Sequence, residues 1–398
     1  VLTPCKMWKT LLLTVVALAL PVTEGAVLCY YESWAIYRMG EGKVTVDDLD
    51  PFACTHYLYA FAGINPDNTI KVNDPWADLC TGGGLCGYKK FTDMKNKNAG
   101  LLTLLSVGGW NVGSPAFSVM AATAATRSVF IMSAISTLRA HNFDGLDVSW
   151  TYPTLNGGAP QDKDNFVNLL RELEVAMTSD GMVLTISVAP TMEIASQAYH
   201  IPSISQYVHF VSVMTYNFHG PWDPYTHHHS ALYPFINDTG NNLYLNANEA
   251  IRYWLISGMP AHKMMLGVPM FGRCWTLNGV TNTGYYAPAS QAGPPGPWTS
   301  QWGYMSFAEI CKAQKANGWT IAKEIGCNEP YTYHLSSRIW CSYEDTESVT
   351  IKATFAANEG LAGLMVWSIN DDDAHGYYTG SKFNLTWTLS NTFNAATN

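Results

Sequence analysis

The chain alternates between short apolar runs and longer amphipathic stretches. The runs are rich in β-branched residues and nearly continuous in apolar character, a pattern typical of parallel strands buried on both faces. Eight runs are predicted as strands: Val27–Trp34, Thr55–Ile64, Leu101–Val107, Phe143–Ser149, Met182–Pro190, Tyr207–Phe218, Met264–Phe271 and Gly363–Asn370. Strands alternating with helices in this number favour an α/β fold closed into a (β/α)₈ TIM barrel. A doubly wound open sheet is the alternative, but no Gly-x-Gly-x-x-Gly turn follows the first run.

One intervening helix is clear from its spacing. It begins after Asp162 and Asp164 and stops at Gly181. Its apolar face comprises Phe166, Leu169, Leu170, Leu173 and Met177. The largest gap between strands separates the seventh and eighth runs and contains the Pro/Gly-rich segment Ala287–Pro297. We therefore predict a small α+β insertion over residues 275–345, on the rim of the barrel.

The N-terminal residues resemble a secretory leader. Met7-Trp8-Lys9-Thr10 precedes the apolar run Leu11–Leu20, and small residues follow near Ala26. This order is typical of a signal peptide, so we predict a leader over residues 1–26 and a mature barrel over 27–398. No second apolar run approaches the length of a membrane span. The expected product is secreted and extracellular, without a membrane partner.

Cysteine usage agrees with an oxidising compartment. The mature chain keeps an even number of cysteines, which favours disulfides and leaves the pairing open. They are Cys29, Cys54, Cys80, Cys86, Cys274, Cys311, Cys327 and Cys341. Cys80 and Cys86 flank a short glycine-rich loop that could close a small ring. No Cys-x-x-Cys pair occurs, so no metal site is predicted. Asn237 and Asn384 begin glycosylation sequons.

The charge balance limits the classes of partner. The chain has 22 basic and 31 acidic residues, a net charge of −9, and gives no electrostatic reason to bind nucleic acid. Charged residues make up 13% and aromatic residues another 13% of the chain. The aromatic rings indicate a large core, or a cleft for a neutral ligand such as sugar. No cofactor is predicted.

Polar and aromatic residues gather at several predicted strand ends, where barrel enzymes carry their chemistry. Ser106-Val107-Gly108-Gly109-Trp110 ends the third run, and Asp144-Gly145-Leu146-Asp147-Val148-Ser149-Trp150-Thr151 spans the end of the fourth. Met214-Thr215-Tyr216-Asn217 ends the sixth, and Trp367 lies near the end of the eighth. We expect these segments to face one cleft.

These segments resemble the chitinase and chitinase-like group of glycoside hydrolase family 18. Cys29–Trp34 is similar to the family's first strand, Tyr57–Ala62 to its second, and Phe271-Gly272-Arg273 and Met365-Val366-Trp367 to its seventh and eighth. The third- and fourth-strand segments are similar to its two signature motifs. The resemblance covers Cys29 to about Asp373 and implies a barrel that binds chitin or chito-oligosaccharides.

The sequence departs from the family where proton transfer is concerned. Active members have Asp-Gly-x-Asp-x-Asp-x-Glu on the fourth strand, the last Glu being the general acid. Asp144 and Asp147 match, but Ser149 replaces the third Asp and Thr151 replaces the Glu. Asn217 stands where the family has a further Asp. A threonine hydroxyl cannot donate a proton near working pH, so we predict a pseudo-enzyme rather than an enzyme.

The resemblance also assigns a binding cleft. Trp367 matches the tryptophan on which an N-acetyl sugar stacks, Trp34 and Trp110 match aromatic subsites, and Phe271 replaces a family tyrosine. Tryptophans in barrels are also often core residues, and Trp222 is a weaker candidate. The predicted ligand-binding residues are Tyr30, Trp34, Trp110, Asp147, Met214, Tyr216, Asn217, Arg273 and Trp367. For Asp147 we favour a buried, hydrogen-bonded role.

Two further clusters invite a metal interpretation. Adjacent side chains in a loop rarely converge, and the sequence places no acidic partner beside His227-His228-His229. Asp371-Asp372-Asp373 is interpreted as a solvated loop at a strand end rather than a cation site.

The sequence thus predicts a monomeric, secreted chitinase-like lectin. A residual glycosidase, or a growth-factor-like or matrix protein using the barrel surface, remains the alternative, since the fold alone does not separate them.

Overall fold

The computed structural model describes residues 25–324 and 329–397. Its strands are β1 Ala26–Glu32, β2 His56–Ile64, β3 Ile70–Lys71, β4 Leu102–Gly108, β5 Gly145–Ser149, β6 Val183–Val188, β7 Phe210–Val213, β8 Met264–Pro269, β9 Phe271–Leu277, β10 Ala289–Ala292, β11 Tyr304–Ser306, β12 Trp319–Lys323, β13 Pro330–His334, β14 Ile339–Ser342 and β15 Gly363–Trp367. The predicted leader, residues 1–26, lies almost entirely outside the described residues.

Eight of these strands close a parallel barrel, which confirms the predicted fold. Around the barrel the order is β1-β15-β8-β7-β6-β5-β4-β2, and β2 pairs back with β1. Leu28 of β1 lies opposite Met365 of β15 on one side and His56 of β2 on the other. All eight barrel strands arise from the eight predicted apolar runs, because a strand covered by helices outside and side chains inside must be apolar on both faces.

Helices cover the outside of the barrel. The α-helices of the described chain are α1 Pro75–Asp78, α2 Gly87–Asp93, α3 Pro115–Ala121, α4 Ala124–Ala140, α5 Asp162–Thr178, α6 Met192–Ala198, α7 Ile201–Ile204, α8 Ala247–Ile256, α9 Phe307–Gln314, α10 Thr346–Asn358 and α11 Asn384–Thr397. Of these, α9 packs against strands of the insertion and not on the barrel. The predicted helix is α5, and all five residues of its predicted apolar face are buried. Among the described residues no single helix could cross a membrane by length and composition; only α3 and α4 together pass, across a 107° bend.

Alternation along β1 shows how the barrel positions its cleft. Leu28 and Tyr30 belong to the cluster that fills the barrel, whereas Cys29 and Tyr31 pack in the cluster between strands and helices. By the same alternation Glu32, the last residue of β1, faces the barrel mouth. The C-terminal strand ends therefore deliver polar side chains above a filled, apolar barrel.

The insertion is a separate antiparallel sheet with its own small core. Its order is β10-β9-β14-β13-β12, with β11 paired to β9 and α9 following β11. The seventh predicted run is wrong at its end, because β8 stops at Pro269 and Phe271 already belongs to β9 of the insertion. The insertion sheet thus begins at Phe271 rather than at 275, and Arg273 is held by this sheet.

The described residues form three disulfides: Cys29–Cys54, Cys80–Cys86 and Cys274–Cys341. The second closes the small ring expected from the sequence, and the third joins the paired strands β9 and β14. Cys311 has no disulfide partner among the described residues, and Cys327 lies outside them.

The two sequons differ in their surroundings. Asn237 is exposed in a loop, whereas Asn384 begins α11 and its Thr386 is buried. Glycosylation at either asparagine stays a prediction.

Candidate functional site

The floor of the barrel mouth is built around one buried carboxylate. Asp147, on β5, accepts hydrogen bonds from Tyr30 Oη at 2.9 Å and Ser106 Oγ at 2.6 Å on one oxygen, and from Thr185 Oγ1 at 2.7 Å on the other. Burial raises the pKa of Asp147, and the hydroxyl donors partly oppose that rise. The buried, hydrogen-bonded role predicted for Asp147 is confirmed.

Ser149 and Thr151, the two positions predicted to lack an acid, hold hydroxyls. Ser149 shares a hydrogen bond of 2.8 Å with Ser187 Oγ, on the neighbouring strand β6. Thr151 follows β5 and is buried, and its Oγ1 has no hydrogen-bond partner among the described residues. Neither group can protonate a leaving oxygen near neutral pH.

A row of aromatic rings leads away from this floor. Trp367 packs on Tyr30, with ring centroids 5.1 Å apart, and stacks on Phe61 at 5.7 Å and 22°. Phe61 in turn stacks on Trp34 at 6.0 Å and 24°. Trp34 is 42% exposed, so the row runs from the barrel floor to solvent. Phe61 was not predicted as a site residue, because an apolar residue inside a strand pattern is indistinguishable from a core residue.

Two further aromatic groups extend the exposed surface. Tyr37 and Trp76 stack at 6.2 Å and 26°, both about half exposed, and the Tyr37 hydroxyl donates to Asp74 at 2.5 Å. Trp110 is 67% exposed and meets Tyr152 edge-on at 6.2 Å. Trp110 is therefore a surface ring and not a core residue.

Arg273 forms a corner of the mouth on the insertion side. Its Nε donates to Asn217 Oδ1 at 2.8 Å. Its guanidinium lies over the rings of Trp222, Phe271 and Tyr304, at 5.4, 5.4 and 5.3 Å from their centroids. Burial lowers the pKa of Arg273.

The remaining predicted residues divide between the mouth and the opposite end. Tyr216 is buried against Phe271 at 5.8 Å, and Met214 packs at the edge of the same interior cluster. Asp144 precedes β5, at the far end of the strand, and accepts from Thr103 N at 2.8 Å and Lys95 Nζ at 2.7 Å. Asp144 therefore fixes strand entry and takes no part in the mouth.

A charged cluster beside the mouth was not predicted. Arg38 Nη2 lies 2.6 Å from Glu32 Oε2, and Arg38 Nη1 lies 2.7 Å from Asp371 Oδ1. Tyr304 Oη also donates to Asp371. Burial and then the nearby Asp371 raise the pKa of Glu32 from 4.5 to about 8, against the opposing effect of Arg38. Two carboxyls thus share one cation in a desolvated site.

The interpretation of Asp371-Asp372-Asp373 as a solvated loop is wrong, since all three are buried. Asp372 accepts from the backbone and hydroxyl of Thr386, in the first turn of α11. Asp373 accepts from three successive backbone amides, those of residues 377–379. The carboxylates of Asp372 and Asp373 are buried because they accept hydrogen bonds from backbone amides, which a sequence pattern does not reveal.

The histidine triplet is likewise buried and hydrogen-bonded. His227 Nε2 lies 2.9 Å from Asp238 Oδ1, an acidic partner that was not predicted. His228 Nε2 and His229 Nε2 lie 2.9 and 3.1 Å from backbone carbonyl oxygens. Burial lowers the pKa of both His228 and His229. The triplet ties the loop after β7 to the insertion.

Comparison with solved structures places this geometry among chitinases and their relatives. The Group IV chitinase of Ostrinia furnacalis, in complex with allosamidin, superimposes with a TM-score of 0.89 at 37% identity, covering 94% of this chain and 100% of that one. Human YKL-39, a pseudo-chitinase with retained chitooligosaccharide-binding properties, superimposes with a TM-score of 0.85 at 32% identity, covering 93% and 99%.

Proteins with similar sequences include a probable chitinase and an oviduct glycoprotein. Probable chitinase 2 of Drosophila melanogaster is 33% identical over 92% of this chain and 78% of its own length. The oviduct-specific glycoprotein of Papio anubis is 34% identical over 94% of this chain and 59% of its own length. A model of the glycosyl hydrolases family 18 matches residues 26–372. The chain therefore belongs to glycosyl hydrolase family 18.

Proposed function

We propose that this protein is a secreted chitinase-like lectin that binds chitin or N-acetylglucosamine oligomers without hydrolysing them. The observation that carries the proposal is the floor of the mouth. Ser149 and Thr151 stand where a charged partner and a general acid are needed, while the aromatic row ending at Trp367 is intact. The acid–base groups are lost and the sugar-stacking surface remains.

Asp147 is a poor substitute for the missing acid. Both of its oxygens are engaged by hydroxyl donors, and it lies within β5, deeper in the barrel than Thr151, which follows that strand. A general acid must come within hydrogen-bond reach of the leaving oxygen, about 3 Å. Loss of such a group typically costs about 10²–10⁴-fold in rate.

The aromatic row supports glycan binding. Sugar rings present apolar faces that pack on aromatic planes, while polar groups of a binding cleft form hydrogen bonds with the sugar hydroxyls. Human YKL-39 is a pseudo-chitinase that retains chitooligosaccharide binding, which is a precedent within the same fold. Tyr30, Trp34, Trp110 and Tyr216 are the proposed contacts beside Trp367.

The remaining attributes follow from chemistry outside the cleft. Three disulfides favour an oxidising, extracellular compartment. We retain a leader over residues 1–26, a barrel over 27–398 and a monomeric state as parts of the proposal.

A residual glycosidase is the second candidate, and one observation favours it. Glu32 faces the mouth, and its raised pKa would keep it protonated near neutral pH. Its contact with Arg38 opposes this role, because a carboxyl group held 2.6 Å from a guanidinium is not free to reach a substrate. If the protein does hydrolyse chito-oligosaccharides, Glu32 is the expected proton donor, and Glu32→Gln should abolish that activity.

Calorimetry with chitohexaose tests the binding function. Trp367→Ala removes the ring that joins Tyr30 to Phe61, and we expect it to weaken binding by at least about 30-fold, the cost of losing a buried aromatic anchor of about 2 kcal/mol. Trp319→Ala is the matched control, because Trp319 lies on β12 in the insertion and stacks on His334. Absence of binding by the wild-type protein at millimolar chitohexaose would overturn the proposal.

A further inference from the structure

Arg273 differs from Arg38, Arg127 and Lys352, which are buried cations with carboxylate partners. Arg38 pairs with two carboxylates, Arg127 with Glu172, and Lys352 with Glu344. Arg273 has no carboxylate within 4.0 Å among the described residues, and its one hydrogen bond there is from Nε to the neutral amide of Asn217. Because partly desolvated cations are normally paired, an unpaired one at the mouth of a cleft indicates a missing anion.

The free part of the guanidinium is the fork formed by its two terminal nitrogens. Neither Nη1 nor Nη2 makes a hydrogen bond to a described residue, and neither is fully buried. The faces of Trp222, Phe271 and Tyr304 hold the guanidinium by cation–π contact. Tyr304 cannot act as the counter-ion, because its hydroxyl donates to Asp371. The aromatic faces therefore stabilise the cation without occupying its fork.

Acidic groups are also sparse on the rest of the floor. Ser149, Thr151 and Asn217 are uncharged, and Asp147 directs its two oxygens at hydroxyl donors inside the barrel. Glu32 and Asp371 share Arg38. These carboxyl groups are thus engaged by other partners, and none of them pairs with Arg273.

We propose that the cleft prefers an N-acetylglucosamine oligomer bearing a carboxylate or a sulfate ester, which the Nη fork of Arg273 binds, over the uncharged oligomer. This inference rests on the proposed glycan-binding function and specifies its ligand class. A planar guanidinium fork matches the two oxygens of a carboxylate or sulfate, and such charge-assisted pairs are stronger than neutral hydrogen bonds.

The test compares hexamers that differ in one substituent. Chitohexaose, 6-carboxylated chitohexaose and 6-O-sulfated chitohexaose are titrated calorimetrically at low and at physiological salt. We expect at least one anionic hexamer to bind about tenfold or more tightly than chitohexaose, the lower range for a charge-assisted hydrogen bond. The preference should shrink at higher salt. The carboxylated and sulfated arms show which anion the fork accepts.

The variant Asn217→Asp tests whether Arg273 is responsible for the preference. The substitution places a carboxylate 2.8 Å from Arg273 Nε without changing side-chain size. It should bring the ratio of the dissociation constant for chitohexaose to that for the anionic hexamer close to one. Reading the ratio removes any common effect of the variant on glycan binding. Arg252→Gln, at an exposed position on α8, changes the net charge by the same amount and should leave the ratio at its wild-type value.

Three outcomes would count against the inference. Equal affinity for neutral and anionic hexamers overturns it and leaves the lectin proposal standing. A preference that survives Asn217→Asp overturns the role of Arg273. No binding of any hexamer overturns the lectin proposal, and with it this inference. Binding of an anionic hexamer alone supports the inference and narrows the ligand to acidic glycans.

Discussion

Glu32 should make the stability of the protein fall as pH rises towards 8. Its pKa is raised from 4.5 to about 8 in the folded protein, mainly by burial and by Asp371. Between these values the folded protein holds a proton that the unfolded chain has released. The free energy of unfolding therefore decreases with rising pH through this interval and becomes flat above it.

The contribution of Glu32 to the free energy of unfolding is best measured above pH 6.5, where buried histidines contribute little. Burial lowers the pKa of His219, His228 and His229, so they reduce stability as pH falls below about 6.5, which opposes the effect of Glu32 in that range. From about 6.5 to 8 the interval is roughly 1.5 units, and each unit is worth about 1.4 kcal/mol. Glu32 should thus account for a loss of up to about 2 kcal/mol.

Urea unfolding of wild type and Glu32→Gln at pH 6.5, 7.2 and 8 measures this directly. Gln keeps the shape of the side chain and leaves Arg38 with Asp371 as its carboxylate, so the variant should lose most of the slope. Glu347→Gln is the control, because Glu347 is an exposed acid paired with Lys323, and it should keep the wild-type slope. The reasoning is refuted if wild type is equally stable across the range, or if Glu32→Gln retains the slope.

Two further predictions concern the floor. Asp147→Ala leaves the hydroxyls of Tyr30, Ser106 and Thr185 without their common acceptor, and should lower the free energy of unfolding by about 3 kcal/mol in urea, with Asp147→Asn costing less. An equal cost for both variants would contradict this. Ser149→Asp with Thr151→Glu should yield measurable release from a fluorogenic chitotriose substrate, absent in wild type; an inactive, folded double variant that still binds chitohexaose would show that the cleft geometry has diverged.

The barrel strands were predictable because each one is marked by its own run of apolar residues. A strand covered on both faces must be apolar throughout, so the barrel strands could be located from runs of apolar residues. The end of β8 could not be placed, since Phe271 continues the apolar run and the change of sheet leaves no mark in hydropathy.

On the floor of the mouth, only the residues that belong to the fourth-strand motif were predictable. Asp147, Ser149 and Thr151 follow from strand alternation once β5 is assigned. Glu32 and Asp371 do not, because their shared partner Arg38 is distant from Asp371 in sequence and comes close only when the barrel closes. Their burial is a property of the closed barrel and not of either segment alone.

Native mass spectrometry of the protein mixed with chitohexaose, followed over a day, tests the central claim most directly because it records the complex and any cleavage products together. The account predicts a persistent one-to-one complex carrying the intact hexamer. Accumulation of shorter oligomers at a rate that scales with protein concentration, or the absence of any complex, would contradict it.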